Sequence, residues 1–159
     1  MLITIAAVGK LKAGPERQLF ERFSDRAAAA GRKLGLKFSL RELPESRAGS
    51  AAARKAQEAS AMLAAVAPGA VLVALDEAGK SIDSRAFAEQ LAKWRDGGTA
   101  EIVLAIGGAD GHGPELIDRA ALSLAFGAMT WPHQLVRLML AEQLYRAVTI
   151  LSGHPYHRD

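Results

Sequence analysis

The chain has no cysteine among its 159 residues, which removes disulfides, thiol nucleophiles and cysteine-ligated zinc from the available chemistry. It also lacks a long hydrophobic run. The most extended nearly apolar stretch, Ala61 to Leu75, is broken by Pro68-Gly69 and is too short to span a bilayer. The first ten residues, Met1 to Lys10, have no basic segment ahead of the apolar one and do not read as a signal peptide. A soluble, cytoplasmic protein is expected. Internal repeats, low-complexity tracts and linkers are missing too. A complete phosphate-binding loop is absent: Gly79-Lys80-Ser81 has the look of its end, but the position that needs the first glycine is Ala74. Neither G-x-G-x-x-G nor G-x-S-x-G occurs, so a dinucleotide fingerprint and a nucleophile elbow are excluded as well.

What is present suits one folded domain over residues 1–159: 50% of the residues are hydrophobic and 23% are charged. The net charge of +3 is compatible with a polyanionic partner but does not demand one.

Leu2 to Val8 is a β-prone run ended by Gly9, and Gly14-Pro15 opens a helix to about Leu34. Leu36 to Leu43 alternates apolar and polar residues as a half-buried strand does, and Pro44 closes it. An alanine-rich helix follows from Ala51 to Val66. Ala70 to Leu75 and Glu101 to Ile106 are the continuous apolar runs of strands buried on both faces. Ser84 is placed to cap a helix to Trp94, ended by Gly97-Gly98. Pro114 opens a short helix toward Leu122, Ser123 to Thr130 reads as extended, and Pro132 starts a last helix to about Leu151. Strands alternating with helices predict an α/β fold with a mainly parallel sheet.

Three regions carry candidate chemistry. Ile106-Gly-Gly-Ala-Asp-Gly-His-Gly113 follows a buried strand, where α/β proteins place ligands. Its glycines serve either a tight turn or a close backbone approach to a ligand. Phe126-Gly-Ala-Met-Thr-Trp-Pro-His133 mixes small residues, a hydroxyl and aromatics, which suits either a core strand with a turn or a backbone-lined pocket for a flat ring. Finally, three of the four histidines (His133, His154 and His157) fall near the C-terminus with Arg137, Arg146 and Arg158. Glu142 lies on the same helix as Arg137 and Arg146, within surface pairing distance of either. His154-x-x-His157 without a cysteine or a nearby carboxylate pair makes a poor metal site, and no metal is expected. Arginine on phosphate and tyrosine or histidine stacked on a base make Pro155-Tyr-His-Arg158 an RNA-facing tail, with a disordered terminus as the alternative, and Arg137, His154 and Arg158 are the RNA-binding candidates.

Taken together, Leu75-Asp-Glu-Ala-Gly-Lys80, Phe87-Ala-x-x-Leu91, Ile106-Gly-Gly-Ala-Asp-Gly111 and Met129-Thr-Trp-Pro-His-Gln-Leu135 stand in a telling order, followed by Ala141-Glu-Gln-Leu-Tyr-Arg-Ala147 and Pro155-Tyr-His-Arg158. Across essentially its whole length the chain resembles the ribosomal RNA large subunit methyltransferase H family, a minimal branch of the SPOUT superfamily. That resemblance implies an α/β fold with a C-terminal trefoil knot, an exception to the usual rule against knots. It implies a homodimer and S-adenosylmethionine as cofactor, held by Leu75, Gly107, Phe126, Gly127, Ala128, Met129, Thr130 and Trp131. Trp131 stands where the family pattern has leucine, and Phe126-Gly127 where it has serine and leucine. The implied reaction is methylation at N3 of a pseudouridine in the helix 69 loop of 23S rRNA, on the assembled ribosome. Such a transfer needs alignment and the loss of a weakly acidic proton, for which His133, Arg146, Tyr156 and His157 are the candidates. A non-catalytic ribosome- or RNA-binding protein of the same fold is the alternative.

Overall fold

The computed structural model describes residues 1–157. Its strands are β1 (Leu2–Val8), β2 (Lys37–Leu43), β3 (Val71–Lys80), β4 (Glu101–Ile106) and β5 (Leu122–Leu124), and its helices are α1 (Pro15–Gly31), α2 (Ala51–Ala64), α3 (Ser84–Asp96), α4 (Pro114–Arg119) and α5 (His133–Leu151). The five strands form one sheet in the order β2-β1-β4-β3-β5, every pairing parallel. All carboxyl ends therefore point to one side, as the alternating pattern predicts.

Side chains alternate across that sheet into two cores. Ile3, Ile5, Val73, Leu104 and Ile106 face α1, α3 and α5. Ala6, Leu72, Ala74, Val103 and Ala105 face the other way, onto Ala59 and Met62 of α2 and Leu116 of α4. Ala6, Ala105 and Ala74 are neighbours across β1, β4 and β3, so this second face is shallow and admits α2 and α4 closely. Helix α5 carries apolar residues on most sides because it packs against the sheet, α1 and α3 at once.

Three sequence expectations shift. Asp83, not Ser84, caps α3: its carboxylate accepts from the Ala86 amide at 2.7 Å, while the Ser84 hydroxyl donates to Gln143 on α5. The extended piece expected through Thr130 ends at Leu124, and residues 126–129 bend, with Gly127 at φ +100°. Conversely, β3 runs past Leu75. Both Leu75 and Lys80 partner Leu124, so residues 76–79 arch out and return to the same strand. Gly79 makes the return possible: a Cβ there would lie 2.7 Å from backbone atoms of Ser123 and Leu124.

Candidate functional site

A cavity of about 410 Å³ opens at the carboxyl ends of β3, β4 and β5, within the range of about 300–1,000 Å³ usual for small-molecule sites. Three chain segments build it: Leu75 to Ala78, Ile106 to His112, and Leu124 to His133. Leu75, Gly107, Phe126, Gly127, Met129, Thr130 and Trp131 all line it, as does His133. Ala128, expected with them, is not among the lining residues; it is exposed on the bend.

The glycine segment forms the tight turn that was one of its two readings. Gly111, at φ +82°, donates its amide to the Gly108 carbonyl, closing a tight turn, and that turn is one wall of the cavity. A Cβ on Gly107 would stand 2.9 Å from the Gly111 carbonyl carbon, so the turn closes only around glycine. On the opposite wall, the Thr130 hydroxyl donates to Glu77 at 2.8 Å, and the Trp131 indole N–H donates to the Phe126 carbonyl at 3.1 Å. These two bonds tie the bend to the arch and to itself. Met129 and Trp131 remain the exposed large apolar side chains of the rim.

Below the turn lies His112, buried, with its Nε2–H on the Leu75 carbonyl at 3.1 Å. Burial pushes its pKa down; Asp76 and the carbonyls of Ala105 and Leu75 oppose that shift, and Lys55 adds to it. The turn is also held from α2. Arg54 grips Asp110 with two hydrogen bonds of 2.6 and 3.1 Å, which holds the Asp110 carboxyl below its ordinary value. Lys55 lines the cavity from the same helix. Sequence reading missed Lys55, Asp76, Glu77 and His112. The last three stand inside or beside family motifs, but nothing local marks a lysine of an alanine-rich helix as a pocket residue.

The C-terminal candidates separate. Arg146, Tyr156 and His157 form a cluster on the far part of α5, away from the cavity lining. Glu142 Oε1 accepts from Arg146 at 2.6 Å and from the Tyr156 hydroxyl at 3.1 Å. Arg146 Nη1 lies 3.4 Å from His157 Nδ1, and its guanidinium sits 5.0 Å from the Tyr156 ring centre. Burial and Glu142 raise the Tyr156 pKa, so its hydroxyl stays protonated at neutral pH. His154 is exposed, its Nδ1 accepting from the Tyr156 amide. Arg158 lies outside the described residues.

Arg137 is a correction. It was expected to face RNA, yet its side chain is 0% exposed. Its guanidinium donates to Glu42 at 2.8 Å and to the carbonyls of Val8 and Gly9. A buried guanidinium needs partners of this kind, and these lie at the ends of β1 and β2, far away in sequence. Its role is to staple α5 to the sheet. Among the described residues no group of three or more His, Asp or Glu side chains is arranged to hold a metal ion, and no helix is long and apolar enough to cross a membrane.

The chain matches the family model described as "Predicted SPOUT methyltransferase" over residues 1–157. It is 58% identical over 159 residues to the "Ribosomal RNA large subunit methyltransferase H" of Nitrobacter hamburgensis, covering 99% of each chain. The proteins of that name from Bradyrhizobium diazoefficiens and Brucella anthropi are 55% and 54% identical, with 99% and 100% of each chain covered. A match of this extent, on a parallel α/β sheet with a cavity at its strand ends, places the chain in the SPOUT methyltransferase family.

Proposed function

We propose that the chain, acting as one domain, is an S-adenosylmethionine-dependent methyltransferase of large-subunit ribosomal RNA that works in the cytoplasm. Its acceptor is N3 of a pseudouridine in the helix 69 loop of 23S rRNA on the assembled ribosome. The observation that carries this reading is the cavity, where seven of the eight residues expected to hold the cofactor converge from three separate segments.

The lining fits that cofactor chemically. Phe126, Leu75 and Ile106 supply apolar walls for a flat base, and the glycine turn and the 126–131 bend bring backbone groups to the cavity edge, suited to reading polar atoms. Carboxylates at Asp76 and Glu77 favour a positively charged guest. When bound, S-adenosylmethionine supplies an electrophilic methyl carbon to the acceptor nitrogen. The chain's part is alignment and proton removal, since the acceptor N–H is lost as the N–C bond forms. His133 lines the cavity, which supports assigning it the removal of that proton. Tyr156 is held as a protonated donor, and Arg146 offers positive charge to the anion that develops on the base.

Arg146, Tyr156 and His157 do not line the cavity of their own chain, which supports a homodimer whose tail completes the partner's site. A mainly apolar cleft of about 680 Å³ beside α3 and α5, lined by Phe23, Ile82, Phe87, Leu138 and Met139, gives a second copy a surface to cover. A trefoil knot formed by the C-terminal segment belongs to this reading. Calorimetric titration with S-adenosylmethionine tests the reading. Stoichiometric binding is expected, whereas a purely RNA-binding protein would give no heat.

A further inference from the structure

The cavity lining holds three carboxylates and one ammonium, and each carboxylate is already engaged. Asp110 is gripped by Arg54 through both oxygens. Glu77 accepts from Thr130, and Asp76 accepts from the Ala78 amide. Lys55 differs: among the described residues its ammonium makes no hydrogen bond or ion pair, although it acts through space on both Asp110 and His112. Arg54, one position earlier, satisfies the carboxylate that would otherwise attract it.

The base of this lysine is fixed. Helix α2 is pressed against the glycine segment at three points. Arg54 bonds Asp110, a Cβ on Gly108 would lie 2.7 Å from Glu58 Oε2, and a Cβ on Gly113 would lie 2.9 Å from the carbonyl oxygen of Lys55 itself. Glu58 is in turn fixed by the Ser46 amide at 2.9 Å. With its backbone this close to one wall of the cavity, Lys55 presents a half-buried, unneutralised cation to the space inside. A charge left so in a ligand pocket is matched to a negative group on the guest, because a charge-assisted contact is worth more there than in open water.

We infer that Lys55 receives the carboxylate of the cofactor's amino-acid end, setting the direction in which that end lies, toward α2 and away from Trp131. This rests on the cofactor reading above. S-adenosylmethionine carries one carboxylate and two cationic groups, so a pocket with one free ammonium and several carboxylates complements it at both signs.

The test compares two stable nucleosides by calorimetry: S-adenosylhomocysteine, and its analogue lacking only the carboxylate, S-adenosyl-3-thiopropylamine. Lys55→Met keeps length and helix propensity, so thermal unfolding should not move and a folding defect is ruled out directly. The substitution should weaken S-adenosylhomocysteine about tenfold and change the decarboxylated analogue by less than about twofold. Equal weakening of both nucleosides, or of neither, overturns the assignment. So does a variant that binds S-adenosylhomocysteine normally but needs more RNA for methylation, which would put the ammonium on a phosphate. If the unsubstituted protein binds neither nucleoside, the cofactor reading itself falls, and that failure is distinct from the others.

Discussion

His112 sits against two strand ends beneath the glycine turn, and its environment favours the neutral ring. The unfolded chain takes up the proton near the ordinary value of 6.5, and the folded chain only at lower pH. Stability is therefore full above that value and falls as pH drops through the window beneath it. In urea unfolding between pH 7.5 and 5, His112→Gln should flatten this dependence while keeping an N–H for the Leu75 carbonyl; an unchanged slope would contradict the placement. Arg137 teaches the complementary lesson. In sequence it looked like an exposed cation among others on one helix, because charge says nothing about direction. Its partner Glu42 lies 95 residues away, and no local pattern announces that pairing. Glu142 was legible as a helix partner, and it does hold Arg146 four residues on.

At the scale of elements, β1 and β4 keep their expected bounds and α5 its expected end, since each has a strong period and a clear stop. The stretch between Leu75 and Ser84 was not legible. Asp76 to Gly79 has the composition of a turn, and only Leu124, from a distant strand, makes it an arch that returns at Lys80. Gly79 is the close point. Gly79→Ala would drive a methyl into backbone that has no rotamer to yield, at a cost of about 1–3 kcal/mol. Urea unfolding should register that loss, and binding of S-adenosylmethionine should weaken with it because the arch is a cavity wall. A variant matching the parent in both would show that the two segments do not approach so closely.

For the whole molecule, the candidate site residues divide between two places on one chain: a cavity at the strand ends and a Glu142-centred cluster on the far part of α5. The sequence grouped them in one C-terminal third, since it gives order along the chain but not distance in space. If a second copy joins them, deleting residues 153–159 should leave cofactor binding nearly intact and abolish methylation; retained activity would sink the dimeric site. The central claim, methylation of ribosomal RNA, is tested most directly by mass mapping of the helix 69 fragment of 23S rRNA from cells with and without the gene. A pseudouridine lighter by one methyl group when the gene is missing is the predicted result, and an unchanged fragment would contradict the account.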